Sequence, residues 1–180
     1  MSNKNKNIKR LILNIPNILT ISRLFLTFPL IIFLEINKPN FVLSLIILGG
    51  ITDYFAGYFA RKLNLKTRLG AIIDPLTDKI FLLIPLLWLC KMGTIPFWSL
   101  AIILFRELII SALRTTTKDG LPASHLGKYK TFLFFIALVI FFVPFSKDLL
   151  SGLGLIFYWL GFIFTIITFI DYLKVKKNTI

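Results

Sequence analysis

Residues 41–60 read FVLSLIILGGITDYFAGYFA and run directly into Arg61 and Lys62. Twenty residues at about 1.5 Å each make a helix of about 30 Å, the thickness of a bilayer's hydrocarbon core. One charged side chain, Asp53, interrupts the apolar run. A carboxylate inside a membrane helix costs about 2.5–3.5 kcal/mol or more, so it is kept for a partner or for chemistry.

Five further apolar blocks lie on either side, at about 18–34, 69–89, 97–113, 131–145 and 150–173. With 57% hydrophobic and 16% charged residues and a mean hydropathy of +0.84, the chain has lipid rather than water as its main solvent. The expected fold is an all-α integral membrane protein, a bundle of six transmembrane helices spanning residues 18–173. Residues 1–17 form a cytoplasmic arm in which Ile8, Leu11, Ile12 and Ile15 recur at helical spacing, the pattern of an amphipathic surface helix. Residues 174–180 are a cytoplasmic basic tail. Asn37, Lys38 and Pro39 break the chain between the first two spans, and Pro85 and Pro144 are expected to kink theirs.

A net charge of +13 raises the possibility of nucleic acid, but the cations flank apolar blocks and no aromatic-basic binding module accompanies them. Membrane lipid is the partner that the pattern supports. Most of the 21 Lys and Arg fall in the N-terminal arm, at 62–68, at 114–130 and in the tail, whereas the opposite side holds Lys38, Lys91 and Lys147. The positive-inside rule then puts both termini and the two basic loops in the cytoplasm. The basic arm lacks the small-residue site of a cleaved signal peptide. Cys90 is the single cysteine and can form neither an internal disulfide nor a thiolate metal site. His125 reads as a surface residue, and Trp88, Trp98, Trp159 and Tyr172 read as rings anchored at the membrane interface.

Of eight acids, Asp53, Asp74 and Asp78 fall at the cytoplasmic ends of the second and third spans, which a short loop makes antiparallel neighbours. Asp53 lies roughly 12 Å inside Arg61, and Asp74 and Asp78 share one helical face at i and i+4. Carboxylates gathered this way repel one another unless a cation binds between them, and hard oxygen donors suit Mg²⁺ or Mn²⁺.

The segment Asp53-Tyr-Phe-Ala56-Gly57-Tyr-Phe-Ala60-Arg61, followed after eight residues by Gly70-Ala-Ile-Ile-Asp74-Pro-Leu-Thr-Asp78, resembles the signature of the CDP-alcohol phosphatidyltransferases. That signature reads Asp-x-x-Asp-Gly-x-x-Ala-Arg, a spacer of about eight, then Gly-x-x-x-Asp-x-x-x-Asp. The resemblance implies that Asp53 and Asp74 are metal ligands, that Asp78 is the base and adds its charge to the same cation site, and that Asp53, Gly57, Ala60, Arg61 and Gly70 bind CDP-diacylglycerol. The small residues make room for a nucleotide diphosphate, and Arg61 offers it a planar fork. Ala56 departs from the pattern. It stands where the signature has its second Asp, and its methyl group coordinates nothing, so a two-metal site loses one carboxylate.

Two further stretches resemble one bacterial branch of the family, whose acceptor is glycerol 3-phosphate. These are Asn14-Ile-Pro16-Asn17-Ile-Leu-Thr20-Ile-Ser-Arg23, and Arg106-Glu107 with Gly127-Lys128-Tyr-Lys130-Thr131. The resemblance implies transfer of a phosphatidyl group from CDP-diacylglycerol to glycerol 3-phosphate, giving phosphatidylglycerophosphate and CMP, with Arg106, Lys128 and Lys130 on the acceptor's phosphate. It also implies a homodimer. For Arg106, beside Glu107 within an apolar block, an internal salt bridge is the rival reading. Three alternatives remain: the related cardiolipin synthases, a catalytically inactive member of the family, and a small transporter with buried acids.

Overall fold

A computed structural model describes the backbone of residues 3–62, 68–116, 125–144 and 147–177, with side chains for residues 18–59, 62, 76–77, 79–111, 127, 129–144 and 150–174. Six helices occupy the described residues: α1 (Asn3–Glu35), α2 (Pro39–Lys62), α3 (Arg68–Lys91), α4 (Phe97–Thr116), α5 (His125–Phe142) and α6 (Lys147–Lys177). Three stretches are long and apolar enough to cross a membrane, Ile18–Glu35, Pro39–Phe59 and Leu150–Lys174, and Tyr129–Phe142 is a shorter apolar helix. The protein is therefore a helical membrane protein. Phe25 and Phe28, on the first of these stretches, keep more than half their surface exposed, as suits a helix whose solvent is lipid.

The chain forms two compact units, residues 1–85 and 86–180. In the first unit α1 and α2 form an antiparallel hairpin. Asn37 takes a left-handed φ of 52°, a conformation asparagine tolerates better than most residues. The amide of Lys38 reaches back to the carbonyl of Phe33 and that of Asn37 to Leu34, so the last carbonyls of α1 are capped. Pro39 then opens α2 at a position whose N–H would have had no helical partner.

The buried positions of the two hairpin helices repeat every three or four residues: Thr20, Arg23, Thr27, Leu30 and Leu34 on α1, and Val42, Ile46, Gly49 and Ala56 on α2. At Gly49 an added Cβ would sit 2.2 Å from the Phe81 ring, so glycine is what lets α3 approach there.

In the second unit Gly93, with φ of 73°, caps α3 in the same manner as Asn37 caps α1. Helices α5 and α6 pack closely: the rings of Phe134 and Phe141 lie over Gly161 and Gly154, each pair seven residues apart. The buried stripe of α6 runs Gly154, Tyr158, Gly161, Thr165, Thr168, Tyr172. Tyr158 is fully buried and its hydroxyl lies 2.6 Å from that of Ser99. The Ser99 hydroxyl donates to the Pro96 carbonyl at 2.8 Å, so the Tyr158 hydroxyl is the donor between them.

Residues 8–15 lie within α1, which runs continuously through Pro16. Two sequence expectations are corrected. Pro144 does not kink a span, because α5 has already ended at Phe142. Tyr172 is not an interfacial ring, because it is 5% exposed and packs beneath a buried guanidinium.

Candidate functional site

Within the α1–α2 hairpin, Arg23 and Asp53 are thirty residues apart in sequence and centred on Lys38, so antiparallel pairing sets them level. The Arg23 Nη1 donates to Asp53 Oδ1 at 2.6 Å. The two ends of this pair differ: the Arg23 side chain is 3% exposed and that of Asp53 56%. The cation is built into the helix interface, while the carboxylate projects from it. Thr27 completes the polar layer by donating its hydroxyl to the Arg23 carbonyl at 3.0 Å. The same register brings Thr20, also buried, level with Ala56, which is 5% exposed. Ala56 is therefore on the face of α2 that meets α1, one helical turn from Asp53.

Gly57 is half-buried on α2. The backbones of Ala60 and Arg61 lie in α2, those of Gly70, Asp74 and Asp78 in α3, and that of Lys128 in α5; their side chains lie outside the described residues. On the outer face of α2 the rings of Tyr54 and Tyr58 stack at 6.5 Å, and Lys62 Nζ donates to the Tyr58 hydroxyl at 2.9 Å.

The second unit holds a separate cluster of charge. Arg106 of α4 and Lys130 of α5 are both buried and converge on the same carboxylate oxygen, Oε1 of Glu107. Arg106 donates to it at 2.7 Å through Nη1, and Lys130 donates through Nζ. The other guanidinium nitrogen, Nη2, donates to the Thr168 hydroxyl at 2.9 Å, and the Tyr172 ring lies 5.9 Å beneath. Two of the three residues expected to take an anionic phosphate are thus drawn together, and the salt bridge between Arg106 and Glu107 is also present.

A family model for the CDP-alcohol phosphatidyltransferases matches residues 13–167. The chain belongs to the CDP-alcohol phosphatidyltransferase family. The CDP-diacylglycerol–glycerol-3-phosphate 3-phosphatidyltransferase of Rickettsia felis is 36% identical over 175 residues, covering 92% of this chain and 96% of that protein. A probable phosphatidylglycerophosphate synthase of Mycobacterium tuberculosis is 32% identical, covering 89% and 80%. A Mycoplasma pneumoniae protein with the same name as the Rickettsia felis enzyme is 33% identical, covering 81% and 76%.

Sequence reasoning gave no role to Arg23 beyond its place in a motif, and none to Thr168. The signal for Arg23 was present, since a cation and an acid that lie within apolar blocks equidistant from a tight turn pair across an antiparallel hairpin. Thr168 and Tyr172 carried no comparable signal, because a Thr and a Tyr at i and i+4 near a span end read as ordinary filler and anchor.

Proposed function

We propose that the chain transfers the phosphatidyl group of CDP-diacylglycerol to the sn-1 hydroxyl of glycerol 3-phosphate, yielding phosphatidylglycerophosphate and CMP. The observation that carries this reading is the ordered set Asp53, Gly57, Ala60, Arg61, Gly70, Asp74 and Asp78 on α2 and α3, in a chain that matches the family along most of its length. In this reaction the acceptor oxygen bonds to the phosphorus bearing diacylglycerol, the bond from that phosphorus to the CMP oxygen breaks, and the acceptor's proton passes to the Asp78 carboxylate. Arg61 pairs with diphosphate oxygens, and Gly57, Ala60 and Gly70 leave room for the nucleotide.

The family is divalent-metal dependent. The donor set fits one such ion: Asp53 projects a carboxylate from the hairpin, and Asp74 and Asp78 follow at i and i+4. A second ion loses a ligand at Ala56. Asp53, Asp74 and Asp78 would hold Mg²⁺ or Mn²⁺, which when bound offsets the negative charge that builds on the departing phosphate. Arg23 donates to Asp53 Oδ1 and limits the rotation of that carboxylate.

Arg106, Lys128 and Lys130 take the phosphate of glycerol 3-phosphate. The full arrangement is six spans with both termini and the site on the cytoplasmic side of a bacterial plasma membrane, residues 1–17 on its surface, and two chains per assembly. Ala56 favours a second reading, a member that binds the nucleotide-lipid without turnover.

The test is incubation of purified protein with CDP-diacylglycerol, labelled glycerol 3-phosphate and Mg²⁺ or Mn²⁺. Labelled phosphatidylglycerophosphate that disappears in Asp78→Asn supports the transferase. Binding of CDP-diacylglycerol without product supports the second reading.

A further inference from the structure

Thr168 holds the guanidinium of Arg106 by a bond whose direction is fixed. Its hydroxyl has a single hydrogen, and the carbonyls of Phe164, at 2.8 Å, and Thr165, at 3.1 Å, both lie on its own helix in position to accept it. With that hydrogen spent inside α6, the oxygen presents only lone pairs, and Arg106 Nη2 donates to them at 2.9 Å. One turn further along the same buried stripe, the Tyr172 ring lies 5.9 Å under the guanidinium carbon. Glu107 takes Nη1 at 2.7 Å. Two ends and one face of the guanidinium are therefore set by neighbours, two of which belong to α6. The third nitrogen, Nε, is buried without a hydrogen-bond partner among the described residues. An arginine fixed in this way has lost its side-chain entropy before any ligand arrives, which is the condition for tight binding of a small anion.

We propose that Thr168, seconded by Tyr172, is a positioning residue for the acceptor site, and that α6 fixes the Arg106 guanidinium for the phosphomonoester of the acceptor. This rests on the reading that Arg106 binds that phosphate. Neither residue touches the substrate in this account. Each acts through Arg106, so its loss weakens the acceptor and leaves the nucleotide-lipid alone.

The experiment is equilibrium binding of labelled glycerol 3-phosphate and, separately, of CDP-diacylglycerol to the full-length protein in detergent micelles, which does not depend on turnover. Thr168→Val keeps shape and removes the acceptor oxygen. It weakens glycerol 3-phosphate binding by about fivefold to tenfold with CDP-diacylglycerol affinity unchanged, and Thr168→Ser restores binding. An unchanged affinity in Thr168→Val, a parallel loss of both ligands, or failure of Thr168→Ser to restore binding overturns the proposal. Should Thr168→Val not fold, Tyr172→Leu is the second variant: it weakens glycerol 3-phosphate binding about threefold, Tyr172→Phe restores it, and an unaltered affinity in Tyr172→Leu overturns the proposal. Arg106→Gln separates the two levels. Lost acceptor binding in Arg106→Gln with an unaffected Thr168→Val overturns the α6 proposal alone, and unaffected binding in Arg106→Gln overturns the acceptor-site reading beneath it.

Discussion

The two charge clusters of this protein place a buried arginine against a carboxylate in opposite ways. In the α1–α2 hairpin the arginine is enclosed and the acid is open: the Asp53 side chain is 56% exposed against 3% for Arg23. In the second unit everything is enclosed, with Glu107 13% exposed between Arg106 at 6% and Lys130 at 9%. An acid whose partner is buried while it projects outward can still take a ligand on its free side. An acid gripped by two buried cations has given up that freedom and serves as a brace. The local sequences share a design nonetheless. Both stripes turn polar toward one end, from Leu34 and Leu30 to Thr27, Arg23 and Thr20 on α1, and from Tyr158 and Gly161 to Thr165, Thr168 and Tyr172 on α6.

The comparison breaks most visibly if the two acids are removed. Glu107→Leu removes the carboxylate that two buried cations share and is expected to destabilise the fold by about 3–5 kcal/mol, measured by denaturation in micelles. Asp53→Asn keeps a polar partner for Arg23 and leaves a side chain that is already half in the open, so its stability cost is expected below about 1 kcal/mol while transferase activity is lost. Equal stability losses in the two variants would mean that both acids are structural braces.

A smaller effect is expected at Ala56. Position 56 lies on the α1-facing side of α2, one turn from Asp53 and level with Thr20. Returning a carboxylate there adds the ligand that the signature carries and is expected to raise turnover by at least about tenfold, or about 1.4 kcal/mol of barrier, with a smaller change in CDP-diacylglycerol affinity. Steady-state rates of Ala56→Asp beside the parent chain measure it. An unchanged rate in a parent chain that is already active would remove position 56 from the metal site.

How legible these features were depends on whether their cause is local. The α2 span, the aspartates and the break after α1 are written in contiguous residues, where hydropathy and turn chemistry act over a few positions. The Arg23–Asp53 pair was one step further away, needing the hairpin register as well as the sequence. Thr168 was out of reach, because its importance comes from an α4–α6 packing in which Arg106 happens to arrive at its oxygen. Tyr172 shows the same limit in reverse: near a span end a tyrosine reads as an interface ring, and only the neighbouring guanidinium reveals why it is buried.

The smallest expected effect concerns how α6 is held in place, since its register against α5 sets where Thr168 stands. At Gly161 an added Cβ would lie 2.9 Å from Phe134 Cε1 and 3.0 Å from Cδ1. The Phe134 ring cannot easily yield: it is 1% exposed and packs on the Tyr158 ring at 5.7 Å. Gly161→Ala is therefore expected to cost about 1 kcal/mol or slightly more through overpacking, despite alanine's better helix propensity. Gly152, on the same helix, has nothing within 4 Å of an added Cβ. Gly152→Ala keeps the propensity gain without a clash and is expected to stabilise by up to about 1 kcal/mol. Opposite signs at two glycines nine residues apart would tie the effect to the α5–α6 contact. If Gly161→Ala is neutral, the Phe134 ring has room to move, and α6 is not held tightly enough at this level to fix the position of Thr168.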